Sequence, residues 1–138
     1  MNKSREHARL LLEKAAEDEY VLRRLIDDPD APDAVIGFHA QQAVEKCLKA
    51  VLTSRAIAYP RSHDLAVLLD LLEQSGVAAP LEAARLPELS PYAAEFRYGR
   101  VPPADEESAS MDREYAAHCV SSTKAWAESL VSGDVAPK

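Results

Sequence analysis

Apolar side chains recur at every third or fourth residue along most of this chain, which is the spacing of one face of an α-helix. No segment alternates apolar and polar residues as a half-buried strand does. The pattern predicts four principal helices, from about Ser4 to Asp27, Pro32 to Arg55, Ser62 to Gly76 and Glu106 to Val131, with shorter helical pieces at Leu81 to Leu86 and Pro91 to Tyr98. The expected fold is an all-α, up-and-down antiparallel bundle of four to five helices, with residues 1–138 as one domain and a core at about 4–131.

The second predicted helix has two contrasting faces. Its apolar arc holds Ile36, Ala40, Ala43, Val44, Cys47, Leu48 and Val51. Opposite the arc lie Gln42, Glu45, Lys46 and Lys49, and periodicity alone favours a solvated surface there. Glu45 and Lys49 are one turn apart in the favourable orientation. Gly37, inside the helix, indicates the close approach of another helix. The width of the arc predicts apolar surface left over for a second copy, and hence a homodimer.

Three other groups of side chains have more than one interpretation. The charged face of the first helix is interpreted as solvated surface: Glu13, Lys14, Glu17, Asp18, Arg23 and Arg24. At the start of the third helix, Ser62 or Asp64 can cap the helix while His63 packs over the turn. A late cluster, Tyr92, Phe96, Arg97 and Tyr98, forms either a core plug or a site at which Arg97 bonds an anionic partner.

Composition places the chain among soluble globular proteins, with 47% hydrophobic and 28% charged residues. No apolar run approaches the roughly 20 residues that cross a bilayer, and the N-terminus lacks the features of a secretory signal, so we expect a cytoplasmic protein with no membrane association. In that compartment Cys47 and Cys119 are expected to be buried thiols. The four histidines are scattered, which predicts no metal site and no cofactor.

The usual signatures of enzymes are absent from the sequence, including a glycine-rich phosphate loop, G-x-S-x-G, H-E-x-x-H and Cys-x-x-Cys. With only four glycines, the chain has little material for a phosphate cradle. The net charge of −7 argues against extensive non-specific binding to nucleic acid. A self-contained nucleotide hydrolase is therefore disfavoured.

Three motifs in order resemble the HEPN family of small prokaryotic helical proteins. They are Phe38-x-x-Gln41-Gln42-Ala43-x-Glu45-Lys46-x-Leu48-Lys49-Ala50, then His63-Asp64-Leu65, then Tyr92-x-x-x-x-Arg97-Tyr98, and the likeness covers about Ser4 to Val131. The resemblance implies a helical bundle, frequent homodimerisation, and frequent pairing with a minimal nucleotidyltransferase in modules that resemble toxin–antitoxin pairs. In the branch with the Gln-Gln-Ala-x-Glu-Lys run, the polar residues are regarded as a nucleotide-binding or partner-binding surface. By that likeness the binding candidates are Gln42, Glu45, Lys46, Lys49, His63, Asp64, Tyr92, Arg97 and Tyr98.

Other HEPN proteins are metal-independent ribonucleases with an Arg-x4-6-His motif, and Arg113 and His118 match its bare spacing. Glu114 departs from the polar or amide residue that commonly follows the arginine. Five helical residues turn the two side chains about 140° apart, so they could serve one RNA site only across a dimer. In that alternative, His118 is the acid or base and Arg113 stabilises the phosphorane. Otherwise Arg113 is a surface residue and His118 a solvated one.

Three functions therefore remain open: a binding module for a nucleotidyltransferase or a nucleotide, a ribonuclease toxin, and a structural bundle with a buried polar network. We expect Glu45, Lys49, His63 and Arg97 to converge in one partly buried pocket. The connection through Tyr59 and Pro60 is expected to place His63 beyond the end of the second helix, nearer to Lys49 than to Glu45.

Overall fold

The computed structural model describes residues 2–93 and 111–133 of the chain. These ranges contain α1 (Asn2–Leu25), α2 (Asp33–Ser54), α3 (Leu65–Gln74), a 3₁₀ helix (Leu86–Leu89) and α4 (Arg113–Gly133). Neither range contains a strand. The predicted all-α bundle is confirmed, and the ends of α1, α2 and α3 lie within three residues of their predicted positions.

The central element is α2, which contacts α1, α3, α4 and the 3₁₀ helix. Every residue of its predicted apolar arc is fully buried: Ile36, Ala40, Ala43, Val44, Cys47, Leu48 and Val51. This burial is complete within a single chain. The expectation that α2 keeps apolar surface for a second copy is therefore wrong, because its neighbours in the same chain cover the whole arc.

One buried stripe of α1 faces the core. Ala8, Ala15 and Leu22 are fully buried, and their spacing of seven residues places them on one stripe of the helix. The two helices run antiparallel, since the short connection joins their ends and Asp18, in the C-terminal half of α1, reaches His39 and Lys46 in α2. An ion pair from Glu19 to Lys124 joins α1 to α4.

The third helix begins and ends at the residues that the sequence indicates. Asp64 is its N-cap, because its carboxylate accepts the backbone N–H of Ala66 at 3.0 Å. Gly76, with φ of +80°, follows the last turn, and the N–H of Val77 returns to the carbonyl oxygen of Leu72 at 3.0 Å.

Two predicted elements are corrected. Residues 81–85 form turns instead of a helix, and the short 3₁₀ helix Leu86–Leu89 follows them, since Pro87 cannot donate the hydrogen bond that a continuous α-helix needs. The last helix begins at Arg113, because Met111 and Asp112 are not helical and Asp112 Oδ1 instead accepts the N–H of Tyr115 at 3.0 Å.

Gly37 makes room for an aromatic ring. A Cβ at this position would lie 2.4 Å from Cδ1 of Tyr92, so any side chain larger than hydrogen collides with the ring. The predicted close approach is confirmed, since the neighbour, Tyr92, lies at the helical residues 91–93, where the sequence predicts the short piece that begins at Pro91. The thiols of Cys47 and Cys119 are free and buried, as predicted.

Candidate functional site

Glu45 is the centre of a polar network on α2. Its carboxylate, on a residue that is only 4% exposed, accepts hydrogen bonds from Lys49 Nζ at 2.7 Å and Gln41 Nε2 at 2.8 Å. Nδ1 of His63 lies 3.0 Å away, and it carries the proton because an ionised carboxylate only accepts. Burial opposes ionisation, but the hydrogen bonds from Lys49, Gln41 and His63 hold the pKa of Glu45 below its ordinary value.

Gln41 connects α2 to the segment that precedes α3. Its side chain is fully buried, and Nε2 donates both to Glu45 and to the backbone oxygen of His63 at 3.0 Å. Its Oε1 accepts from Nε2 of Gln42 at 2.8 Å. Both ends of the buried amide therefore have partners, as a buried polar group requires.

A second buried carboxylate extends the network to α1. Asp18 is 9% exposed and accepts from Lys46 Nζ at 2.6 Å and from His39 Nδ1 at 2.9 Å. Lys46 Nζ also lies 3.3 Å from Oε1 of Gln42, which joins the two carboxylate centres. We call the whole set the polar network: Asp18, His39, Gln41, Gln42, Glu45, Lys46, Lys49 and His63.

The polar network is arranged by depth. The side chains of Glu45 and Asp18 are 6% and 12% exposed, whereas those of Lys49, Lys46 and His63 are 16%, 25% and 48% exposed. The carboxylates therefore lie deeper than the ammonium groups and the His63 imidazole, which are nearer to solvent. Two lysines face two carboxylates, so the network carries no net charge when both imidazoles are neutral.

The predicted convergence is confirmed for Glu45, Lys49 and His63. The predicted position of His63 is corrected, because residues 55–64 run back along α2 and bring its imidazole to Glu45, well before the end of the helix at Ser54. The predicted members Gln42 and Lys46 also lie in the network. Arg97 and Tyr98 lie outside the described residues.

Two further candidates lie apart from Glu45. Asp64 uses its carboxylate as the cap of α3, which supports the structural interpretation made from the sequence. Tyr92 packs on Gly37, about 12 Å along α2 from Glu45 at 1.5 Å of rise per residue. Among the described residues, the side chains that contact Glu45 come instead from α2 and from His63.

Asp18, His39 and Gln41 are the network residues missing from the sequence-based candidates. The interpretation of Asp18 as solvated is wrong, and a signal for its burial was present. Asp18 lies three residues after Ala15 and four before Leu22, which places it on the buried stripe of α1. A carboxylate on an apolar stripe requires a partner, and Lys46 and His39 supply it.

Arg113 is a structural clamp, so its interpretation as a surface residue is wrong. Its side chain is 20% exposed, and Nε donates to Oδ1 of Asp33 at 2.9 Å. The remaining guanidinium groups donate to four backbone oxygens at the junction of α1 and α2: Leu25 at 3.4 Å, Ile26 at 3.3 Å, Asp28 at 2.8 Å and Ala31 at 2.6 Å. Arg113 thus satisfies carbonyl groups that the end of α1 leaves without helical partners.

His118 belongs to a different cluster. Its side chain is 58% exposed, as the solvated interpretation expects, and its Nε2 lies 3.1 Å from Oε2 of Glu82. The hydroxyl of Tyr115 donates to Oε1 of Glu82, and hydrogen bonds from Tyr115 and His118 lower the pKa of that carboxylate. The hydrogen bond to Glu82 in turn raises the pKa of Tyr115 to about 12. Arg113 and His118 therefore contact separate parts of the same chain.

Within residues 2–93 and 111–133, no three His, Cys, Asp or Glu side chains gather in a group that could hold a metal ion. No helix in these ranges has the length and apolar content needed to cross a membrane.

The family model of the HEPN domain matches residues 8–130, which includes α2 and all of the polar network. No curated protein and no solved structure matches the chain.

Proposed function

This chain belongs to the HEPN family, and we propose that it is a cytoplasmic binding module that docks a minimal nucleotidyltransferase through the polar network. The two proteins would form a module that resembles a toxin–antitoxin pair. The observation that carries the proposal is the arrangement of the network by depth, in which Lys46, Lys49 and His63 lie above the buried carboxylates of Asp18 and Glu45. Such a surface presents oriented N–H groups to the acceptor atoms of a partner.

The electrostatics of the network favour a protein partner over a long polyanion. Its lysines are already neutralised by Asp18 and Glu45, and the whole chain carries a charge of −7. RNA binding draws most of its affinity from uncompensated Lys and Arg, which this surface lacks. Preorganised hydrogen-bond donors instead lower the entropic cost of docking a surface of matching shape. A nucleotide held by the partner, or bound by itself, could use the same donors.

The ribonuclease alternative receives less support. It would require Arg113 to leave the Asp33 carboxylate and four backbone oxygens before it could bind a phosphate. His118, on the Glu82 side of the molecule, would then have to meet an Arg113 from a second copy. The homodimer itself remains part of the proposal on the strength of the family alone, since the apolar arc of α2 is covered within one chain.

Two histidines provide a matched test of the docking site. His63 and His118 are 48% and 58% exposed, and each contacts a glutamate, but only His63 belongs to the polar network. The chain would be produced together with a minimal nucleotidyltransferase, and the dissociation constant of the complex would be measured by calorimetry. His63→Ala is expected to weaken the complex by about tenfold, which corresponds to about 1.4 kcal/mol. His118→Ala is expected to leave it unchanged.

Other outcomes would contradict the proposal. Failure of the two proteins to associate would exclude this partner, and equal weakening by both substitutions would place the contact outside the polar network. Cleavage of RNA by the purified chain, lost on His118→Ala, would establish the ribonuclease alternative instead.

A further inference from the structure

A second surface, separate from the polar network, lies between α3 and the segment 77–87. It is a groove of about 630 Å³. On the α3 side it is lined by Ala66, Leu69, Asp70 and Glu73, which occupy one stripe of the helix at spacings of three, one and three residues. On the other side it is lined by Val77, Pro87 and four alanines at positions 78, 79, 83 and 84. Most of its lining is therefore apolar and small.

Contacts behind the groove hold its two sides in place. The opposite stripe of α3 is anchored in the core, since Leu65, Leu68 and Leu72 are fully buried. The backbone oxygen of Ala78 accepts a hydrogen bond from Nε1 of Trp126 on α4 at 3.0 Å. The concavity is thus a built feature of the fold, and its alanine methyl groups leave space that larger apolar side chains of another molecule can fill.

Two features indicate what fills this groove. The charged side chains that line it, Asp70 and Glu73, are both acidic and exposed, which favours a basic partner. Leu81, in the same segment, is 90% exposed and is the most exposed large hydrophobic residue in the described part of the chain. Leu81 does not itself line the groove, but a contiguous apolar groove is typical of a surface that binds another protein.

We propose that this groove docks an amphipathic helix of a partner protein. The helix would place large apolar side chains over the alanines and Leu69, and Lys or Arg beside Asp70 and Glu73. A helix fits better than an added strand, because the described chain has no sheet edge with which a strand could pair. This proposal does not depend on docking at the polar network, which lies on α2 and around His63.

Two labelled peptides of about 16 residues test the proposal, since shorter peptides form only marginal helices in water. The basic peptide carries Leu at every third or fourth position, so that the leucines share one helix face, and Lys and Arg at the positions that flank this face. The acidic peptide has Glu in place of each Lys and Arg. Fluorescence anisotropy would measure their binding to the full chain. The basic peptide is expected to bind, and the acidic peptide is expected to bind at least about tenfold more weakly.

Charge reversal provides the matched control. The double variant Asp70→Lys with Glu73→Lys is expected to bind the basic peptide about tenfold more weakly than the wild type does, and to bind the acidic peptide more tightly. The double variant Glu13→Lys with Glu17→Lys changes the net charge equally at exposed positions of α1, and it is expected to leave both peptides unaffected. Ala79→Arg, at an exposed alanine of the groove, is expected to abolish binding of the basic peptide while the circular dichroism of the chain stays unchanged.

Several results would overturn the proposal. The proposal fails if the basic peptide does not bind the chain, or if the two charge-reversal variants change peptide binding equally. It also fails if the Ala79→Arg variant still binds the basic peptide. Sedimentation that shows a dimer of the chain alone, broken by Ala79→Arg, would assign the groove to a second copy and overturn the partner helix.

Discussion

The guanidinium of Arg113 donates to the carboxylate of Asp33 at 2.9 Å and thereby ties the first turn of α4 to the first turn of α2. The other carboxylate oxygen of Asp33 accepts the N–H of Met111 at 3.2 Å. With the carbonyl oxygens of the α1–α2 junction on its remaining donors, Arg113 fixes three helix ends at one point. A residue that matches the spacing of a catalytic motif is here part of the structural framework.

Arg113→Ala is accordingly expected to lower the free energy of unfolding by about 2 to 3 kcal/mol, because it leaves the Asp33 carboxylate and several carbonyl groups without their charged donor. Arg113→Lys should fall between the wild type and Arg113→Ala, since an ammonium cannot reproduce the planar fork. His118→Ala should stay within about 0.5 kcal/mol of the wild type. Urea unfolding measures all three, and an unchanged midpoint for Arg113→Ala would contradict the clamp.

Local rules account for what could be predicted from the sequence. Proline, glycine and capping residues mark the helix ends at Pro32, Asp64 and Gly76, and the i,i+4 spacing indicates the Glu45–Lys49 pair before any tertiary contact is known. The family resemblance adds His63 to the candidates, although the sequence predicts it beyond the end of α2 rather than beside Glu45. These features depend on residues that are close together in the sequence or on the order of motifs along it. Both kinds of information are present in the sequence alone.

Long-range pairing accounts for what could not be predicted. Arg113 and Asp33 are 80 residues apart in sequence, and Glu82 meets His118 from a segment without regular periodicity. Such contacts depend on how helices and turns dock, and no local pattern specifies them. Asp18 is an intermediate case, since its place on the buried stripe of α1 predicts burial, whereas only the packed structure identifies Lys46 and His39 as its partners.

Lys49→Met tests whether the polar network stabilises the fold. The substitution removes the ammonium from a carboxylate whose side chain is 6% exposed, and it is expected to lower the free energy of unfolding by about 1 to 3 kcal/mol. Lys14→Met is the control, because Lys14 pairs with Glu17 at sites that are 53% and 70% exposed and should change stability by less than about 0.5 kcal/mol. If Lys49→Met is as stable as the wild type, Lys49 does not stabilise the fold, and its role is in binding.

The pH dependence of stability should report on Glu45. Its folded pKa lies below the ordinary value of 4.5, so the stabilisation from its ionised form is present above that value and is lost as the pH falls through the folded pKa. The wild type should therefore exceed Glu45→Gln in stability at about pH 7, and the difference should narrow below about pH 4. Repeating the comparison with His63→Ala in both proteins removes the neighbouring imidazole from the comparison. A difference that is constant with pH would contradict the lowered pKa.

Because Gly37 contacts the ring of Tyr92, the effect of Gly37→Ala on stability should change sign when that ring is removed. In an open helix, Gly→Ala stabilises by about 1 kcal/mol, because alanine is the better helix former. Here the new Cβ would lie 2.4 Å from the ring of Tyr92, and relieving that overlap is expected to cost about 2 to 3 kcal/mol. Gly37→Ala should therefore destabilise the wild type but stabilise the Tyr92→Ala variant, in which the ring is absent. A double-mutant cycle by urea unfolding measures the coupling, which should equal the overlap cost of about 2 to 3 kcal/mol. A Gly37→Ala effect of the same sign in both backgrounds would show that the helix or the ring moves aside, and that the glycine is not required for this packing.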